Sequence, residues 1–313
     1  MSLLGRFFGS RDDVPAWARF FPAEDYRSFL EAVEADLRRR GAPFEMGDGT
    51  VRAGPAGGPS ADYGLLNLAQ VCHATPRGDW DGTIAAHFDN AFSSDAEADA
   101  LDARARSLDD VRACLKVRLY HPDYRAQVGA DHLVHRVPAE GLVETLVYDL
   151  PGTVRTVPPE HVGTWGRPLD ELFGIGLGNV RSEPRPDLQR LDLGHGATCS
   201  AIVGDSFFVA SHALFLGDYL EASARFGALV SIPHRHAVLF HPIADMKVIL
   251  AINSLIPVTF GMYQEGPGSI SDSLYWWRDG RFTRLPSKVT AQSVTFEPPD
   301  EFVDEVLNKL PEP

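Results

Sequence analysis

The chain has 313 residues, 44% hydrophobic and 23% charged, an ordinary globular composition long enough to bury a large core. Its formal net charge of −14, with no basic run longer than Arg38–Arg40, argues against nucleic acid as a partner, because phosphate neutralisation needs clustered cations. Cys72, Cys114 and Cys199 are far apart, odd in number and contain no CxxC pair, which excludes a disulfide framework and a cysteine-rich zinc site and points to a reduced, cytoplasmic protein.

Residues 1–15 read as a flexible tail. Leu3, Leu4, Phe7 and Phe8 stand beside two arginines, without the long apolar region and cleavage site of a signal peptide. From Pro22 to Arg40, the spacing of Tyr26, Phe29, Leu30, Val33 and Leu37 predicts a helix. Glu24 and Asp25 favour its start, and the three arginines and Gly41 favour its end. Asp48-Gly49 is a hairpin signal, and Gly54–Pro59 reads as a loop. Tyr63–Ala74 and Trp80–Phe92 read as helices. Asp95–Arg106 alternates alanine with charge and has almost no apolar face, the pattern of a linker or a solvated helix. The expected organisation is therefore a helical or α+β subdomain over 16–94, an acidic connector over 95–110, and an α+β domain over 111–313.

The second part reads as strand-rich. Strands are expected at Val111–Tyr120, His132–Pro138, Leu142–Leu150, Thr153–Val157, Leu188–Leu193, Thr198–Val203 and Ser206–Ala210. Helices are expected at Pro168–Asn179 and Tyr219–Phe226. Two strands, Ala228–Ile232 and Ala237–Phe240, flank a His-Arg-His turn. Val248–Gln264 is uncharged but holds Asn253, Ser254, Pro257 and Thr259 and is too short for a membrane span, so it reads as a buried element. A hairpin about Asp279-Gly280 and an amphipathic helix over Glu301–Leu310 close the chain. Helices and strands are intermixed without a βαβ rhythm, so the expected class is α+β, with a mixed or antiparallel sheet, packed helices and two subdomains. A short echo between Tyr63–Ala69 and Leu172–Asn179 is too brief to define a repeat architecture.

The candidate chemistry centres on Ala228–Pro242, where His234, Arg235, His236 and His241 interrupt a run that otherwise reads as buried strand. Residues two apart on a strand share a face, so His234 and His236 can reach one metal, with His241 as a third ligand if the chain bends back. No HExxH and no carboxylate at metal-site spacing accompanies them, so no cofactor is expected. Arg235 is the stronger candidate. Its guanidinium fork suits a carboxylate or phosphate, the competing reading being an internal ion pair with Asp149 or Asp205. Gly174-Ile-Gly-Leu-Gly-Asn179 lacks the preceding strand of a dinucleotide loop and reads as small residues for close helix packing. Ser211-His212 and Cys72-His73 are sequence neighbours, which is not a nucleophile–base geometry. Tyr275, Trp276 and Trp277 put aromatics on both faces of a hairpin, one face a candidate partner surface or else covered by a second layer.

Val147–Gly166, with its Asp and Pro turn and its Trp165-Gly166, then Gly204–Ser211 and Val230-Ser-Ile-Pro-His-Arg235, resemble the YtpQ-type family of uncharacterised bacterial proteins. The likeness covers roughly residues 112–245, and more thinly 60–90. It implies a scaffold in which Arg235 fits the pattern. His234 and His236 stand where the family shows Asn and Asp, and the resemblance implies no reaction. The expected function is a non-catalytic binding or interaction protein for a protein partner or small anionic ligand. The alternatives are a metal-assisted or anion-binding enzyme at His234–Arg235–His236, or an acidic, immunity-like partner of a basic protein.

Overall fold

The structure, a computed structural model, describes residues 14–58, 60–151, 153–194, 196–222, 224–289 and 294–311. The predicted tail over residues 1–15 lies almost wholly outside the described residues. The chain divides into two compact units, Met1–Leu101 and Asp102–Pro313.

In the first unit, α1 (Ala23–Arg39) buries Tyr26, Phe29, Leu30, Val33 and Leu37, the apolar stripe its spacing dictates. Strands β1 (Phe44–Met46), β2 (Thr50–Ala53) and β3 (Ala61–Gly64) form an antiparallel sheet, followed by α2 (Leu66–Ala74) and α3 (Trp80–Arg104). Tyr63 is therefore a strand residue, paired with Val51, and not the start of a helix. The backbone of Asp95–Arg104 continues α3, as its alanine content favours. The core of this unit gathers Phe21, Phe29, Leu37, Val51, Leu65, Ile84 and Phe88.

Among the described residues the second unit holds three sheets. After the short α4 (Leu108–Val111) come β4 (Leu115–Tyr120), α5 (Asp123–Val128), β5 (His135–Ala139), β6 (Leu142–Leu150) and β7 (Thr153–Thr156). All pairings on β6 are antiparallel: β4 lies along one edge, and β5 and β7 follow one another along the other. Residues 111–114 are helical, so β4 starts four residues later than predicted. Then come α6 (Pro159–Trp165), α7 (Leu169–Arg181), β8 (Asp187–Gly194) and β9 (Ala197–Val203). They are followed by β10 (Ala228–His234), β11 (Ala237–Pro242), α8 (Val248–Glu265), β12 (Leu274–Arg278), β13 (Arg281–Leu285), β14 (Ser287–Val289), β15 (Val294–Phe296) and α9 (Asp300–Glu305). A six-stranded antiparallel sheet runs β13-β12-β10-β11-β9-β8, and β14 and β15 pair separately. The fold is α+β.

Two predictions fail between β9 and β10. Ser206–Ala210 is not a strand and Tyr219–Phe226 is not a helix. Val209–Tyr219 forms two 3-10 segments meeting at Phe215. Phe208, Val209, Ala210, Ala213 and Leu216 are all buried there, a cluster with neither strand alternation nor helical period. This segment covers one face of the six-stranded sheet, over Val230, Ile232, Val238, Phe240, Tyr275 and Trp277. Helices α8 and α9 cover the opposite face, over Leu229, Leu239, Leu274 and Trp276. Covered on both faces, β10 and β12 are largely apolar, with Ser231, His234 and Arg278 as their polar residues. Tyr275, Trp276 and Trp277 are 0%, 4% and 9% exposed, so the aromatic hairpin presents no partner surface; the second layer covers it. Among the described residues no helix is long and apolar enough to cross a membrane.

Candidate functional site

The β10–β11 hairpin turns through Arg235 and His236, between two segments that hold it by the backbone. On one side Arg235 N–H donates to Gly268 O, and Ile270 N–H to Pro233 O. On the other, Ala210 N–H donates to Arg235 O and Gly204 N–H to His236 O. Glycines make the first contact feasible. A Cβ on Gly266 would overlap the His234 ring, and one on Gly268, whose φ is +71°, would lie 2.8 Å from Arg235 Cδ.

Hydrogen bonds fix the state of both imidazoles. Arg235 Nε–H donates to His236 Nε2 at 2.8 Å, so that nitrogen is an acceptor and the proton sits on Nδ1, which donates to Gly204 O at 3.0 Å. His236 N–H donates to His234 Nδ1 at 3.3 Å, which places the His234 proton on Nε2. Burial, reinforced by the neighbouring Arg235, lowers the pKa of each to about 4, and both rings are neutral at pH 7.

This arrangement breaks up the three-histidine metal site. Both His236 nitrogens are engaged, and His241 lies at the other end of the hairpin, opposite Leu229, about 14 Å along the strand from Ala237. There His241 Nδ1 bonds Thr198 O at 2.7 Å. It lines a separate cleft of about 470 Å³ with Arg190, Tyr219, Asp245 and Lys247. Among the described residues no group of three or more His, Cys, Asp and Glu side chains is placed to hold a metal.

Arg235 also departs from its bland reading. Asp149 takes Lys116 as its partner at 2.5 Å, and Asp205 is exposed. Among the described residues no carboxylate lies within 4.0 Å of Arg235, and its only side-chain hydrogen bond is the one to His236. The guanidinium instead lies 4.8 Å from the centroid of the Phe207 ring. Burial, then the nearby Arg118, lowers its pKa to about 10.

Arg118 was not singled out in the sequence. It lies at the centre of β4, between Lys116 and Tyr120 on one face. Its guanidinium is 4.8 Å from the Tyr120 centroid and 5.7 Å from Phe207, its Nε is buried without an acceptor, and among the described residues it has no ion pair. The alternation Leu115-Lys-Val-Arg-Leu-Tyr120 was the available signal, since it marks one polar strand face. Phe207 was hidden by the strand expected at Ser206–Ala210. The discounted neighbours have structural partners: Ser211 Oγ donates to Val117 O at 2.8 Å, and His212 shares a 2.5 Å hydrogen bond with the Tyr219 hydroxyl.

No family model, no curated protein and no solved structure matches this chain.

Proposed function

We propose that this chain is a non-catalytic, cytoplasmic binding protein that holds a small anion at the β10–β11 turn, with Arg235 as the principal donor. The resemblance to the YtpQ-type family is part of this proposal and carries no reaction with it. One observation supports the reading above the others. A largely buried guanidinium, with five N–H donors, satisfies one of them on a neutral histidine and meets no carboxylate among the described residues. Buried arginines are ordinarily paired, because an uncompensated buried charge costs several kcal/mol. The imidazoles do not act as acid or base here. Both His236 nitrogens are held, by Arg235 and by Gly204 O, so that His236 orients the guanidinium, and His234 Nδ1 accepts from His236 N–H.

The test is a thermal-shift and calorimetric screen of phosphate, sulfate, citrate and acetate at low ionic strength, on wild type and Arg235→Gln. At least one anion raises the Tm of wild type and fails to raise that of the variant. A screen in which no anion binds, or in which Arg235→Gln binds equally well, overturns the proposal.

A further inference from the structure

Arg118 and Arg235 approach the same phenylalanine, at 5.7 and 4.8 Å from the Phe207 centroid. Lys116, on the same strand face as Arg118, shows what a compensated cation looks like here: it donates to Asp149 and to Glu183. Neither arginine has such a partner among the described residues. Among the described residues Arg118 Nε is buried without an acceptor, and Thr145, directly across the ladder from Arg118, has a buried Oγ1 that is also unpartnered. The flanking histidines are neutral and cancel none of the charge. Asp205 acts electrostatically on His236, but it is exposed and forms no ion pair with either arginine among the described residues.

Two guanidiniums carry more charge than one carboxylate balances. A carboxylate carries one negative charge and so leaves one of two neighbouring guanidiniums uncompensated, although its oxygens can accept from both. A tetrahedral dianion offers an oxygen pair to each fork and carries the two negative charges that offset both cations. We infer that Arg118 and Arg235 together form a site for a phosphate dianion, free or as a monoester, with Arg118 the second binding residue. This deepens the reading of Arg235 as an anion donor and rests on it.

The experiment is isothermal titration of the full chain at pH 7.5 and low salt with inorganic phosphate, phenyl phosphate and acetate. Phosphate binds wild type at least tenfold more tightly than acetate, and Arg118→Gln and Arg235→Gln each weaken phosphate at least tenfold. Arg190→Gln, in the distant cleft, leaves binding unchanged. Tighter binding of phenyl phosphate marks a monoester as the ligand class, and weaker or equal binding marks free phosphate. Far-ultraviolet circular dichroism checks folding. Where Arg118→Gln does not fold, Arg118→Lys, which keeps the charge and loses the fork, is expected to weaken phosphate in its place. Acetate binding as tightly as phosphate overturns the inference without any variant. Phosphate binding lost in Arg235→Gln and intact in both Arg118 variants overturns this inference and leaves the proposed function standing. No anion binding at all removes both.

Discussion

The hydrogen bond from Arg235 Nε to His236 Nε2 couples an arginine's position to a histidine's tautomer. His236→Phe removes this acceptor and the donor to Gly204 O while keeping a ring of similar size. The expected loss is about 2–3 kcal/mol by urea denaturation, since two partners of part-buried polar groups disappear at once. Phosphate binding is expected to weaken with it, because Arg235 loses its tether. A variant as stable as wild type, binding phosphate equally well, would show that the tether does not matter. Arg235 was legible because a charged residue inside an apolar run is a local anomaly. Arg118 was not, because its significance comes from Phe207 and Arg235, remote in sequence and joined only by the fold.

At the scale of elements, three glycines of α7 make a sharp comparison. A Cβ on Gly176 would lie 2.8 Å from Val117 Cγ2 and 3.0 Å from the Lys116 carbonyl carbon, and a backbone atom in a paired strand has little room to give. Gly174 and Gly178 face open space. Helix propensity alone favours alanine at all three by about 1 kcal/mol. The packing reverses the sign at one: Gly176→Ala destabilises by about 1–3 kcal/mol, while Gly174→Ala and Gly178→Ala stabilise by about 0.5–1 kcal/mol. Equal effects at all three positions, read from urea midpoints, would refute the close approach. Close packing at this motif was readable in the sequence; which glycine makes it was not, since that depends on the register of α7 against β4. The same division holds along the chain. The turns at Arg235-His236 and Asp279-Gly280 were legible, because turn chemistry is local. Val209–Tyr219 was misread because its buried residues follow the shape of the sheet they cover, with no period of their own.

For the whole molecule, burial holds His212, His234 and His236 at pKa values of about 4 and lowers that of His241 as well. A histidine whose folded pKa lies below its unfolded value of 6.5 favours the folded state fully above that value. As the pH falls below 6.5 the unfolded chain takes up protons first, and stability drops until about pH 4, where the folded state titrates too. Each such site contributes at most about 1.4 kcal/mol per pH unit across this window. Glu144, whose pKa burial raises, acts in the opposite direction. Urea midpoints are therefore expected to fall from pH 6.5 to pH 4.5, and His236→Phe is expected to show a shallower slope than wild type. A flat profile over this range would mean the imidazoles are solvated. The α+β class was legible from the intermixing of periodicities. The pairing of six strands into one sheet was not, because strand order is set by contacts that no local pattern encodes.

Trp276 and Trp277 are consecutive on β12 and point to opposite faces of the six-stranded sheet. Trp276 donates to Phe226 O at 2.7 Å and meets Phe302 of α9 edge-on, whereas the indole N–H of Trp277 is buried without an acceptor. One indole is thus electronically perturbed by a carbonyl and the other lies in an almost purely apolar setting. Beside Trp165, the second unit thereby carries two optical reporters with different surroundings, one for each layer covering its largest sheet. Comparing Trp276→Phe with Trp277→Phe separates the loosening of the helical layer from that of the 3-10 layer in a single fluorescence experiment.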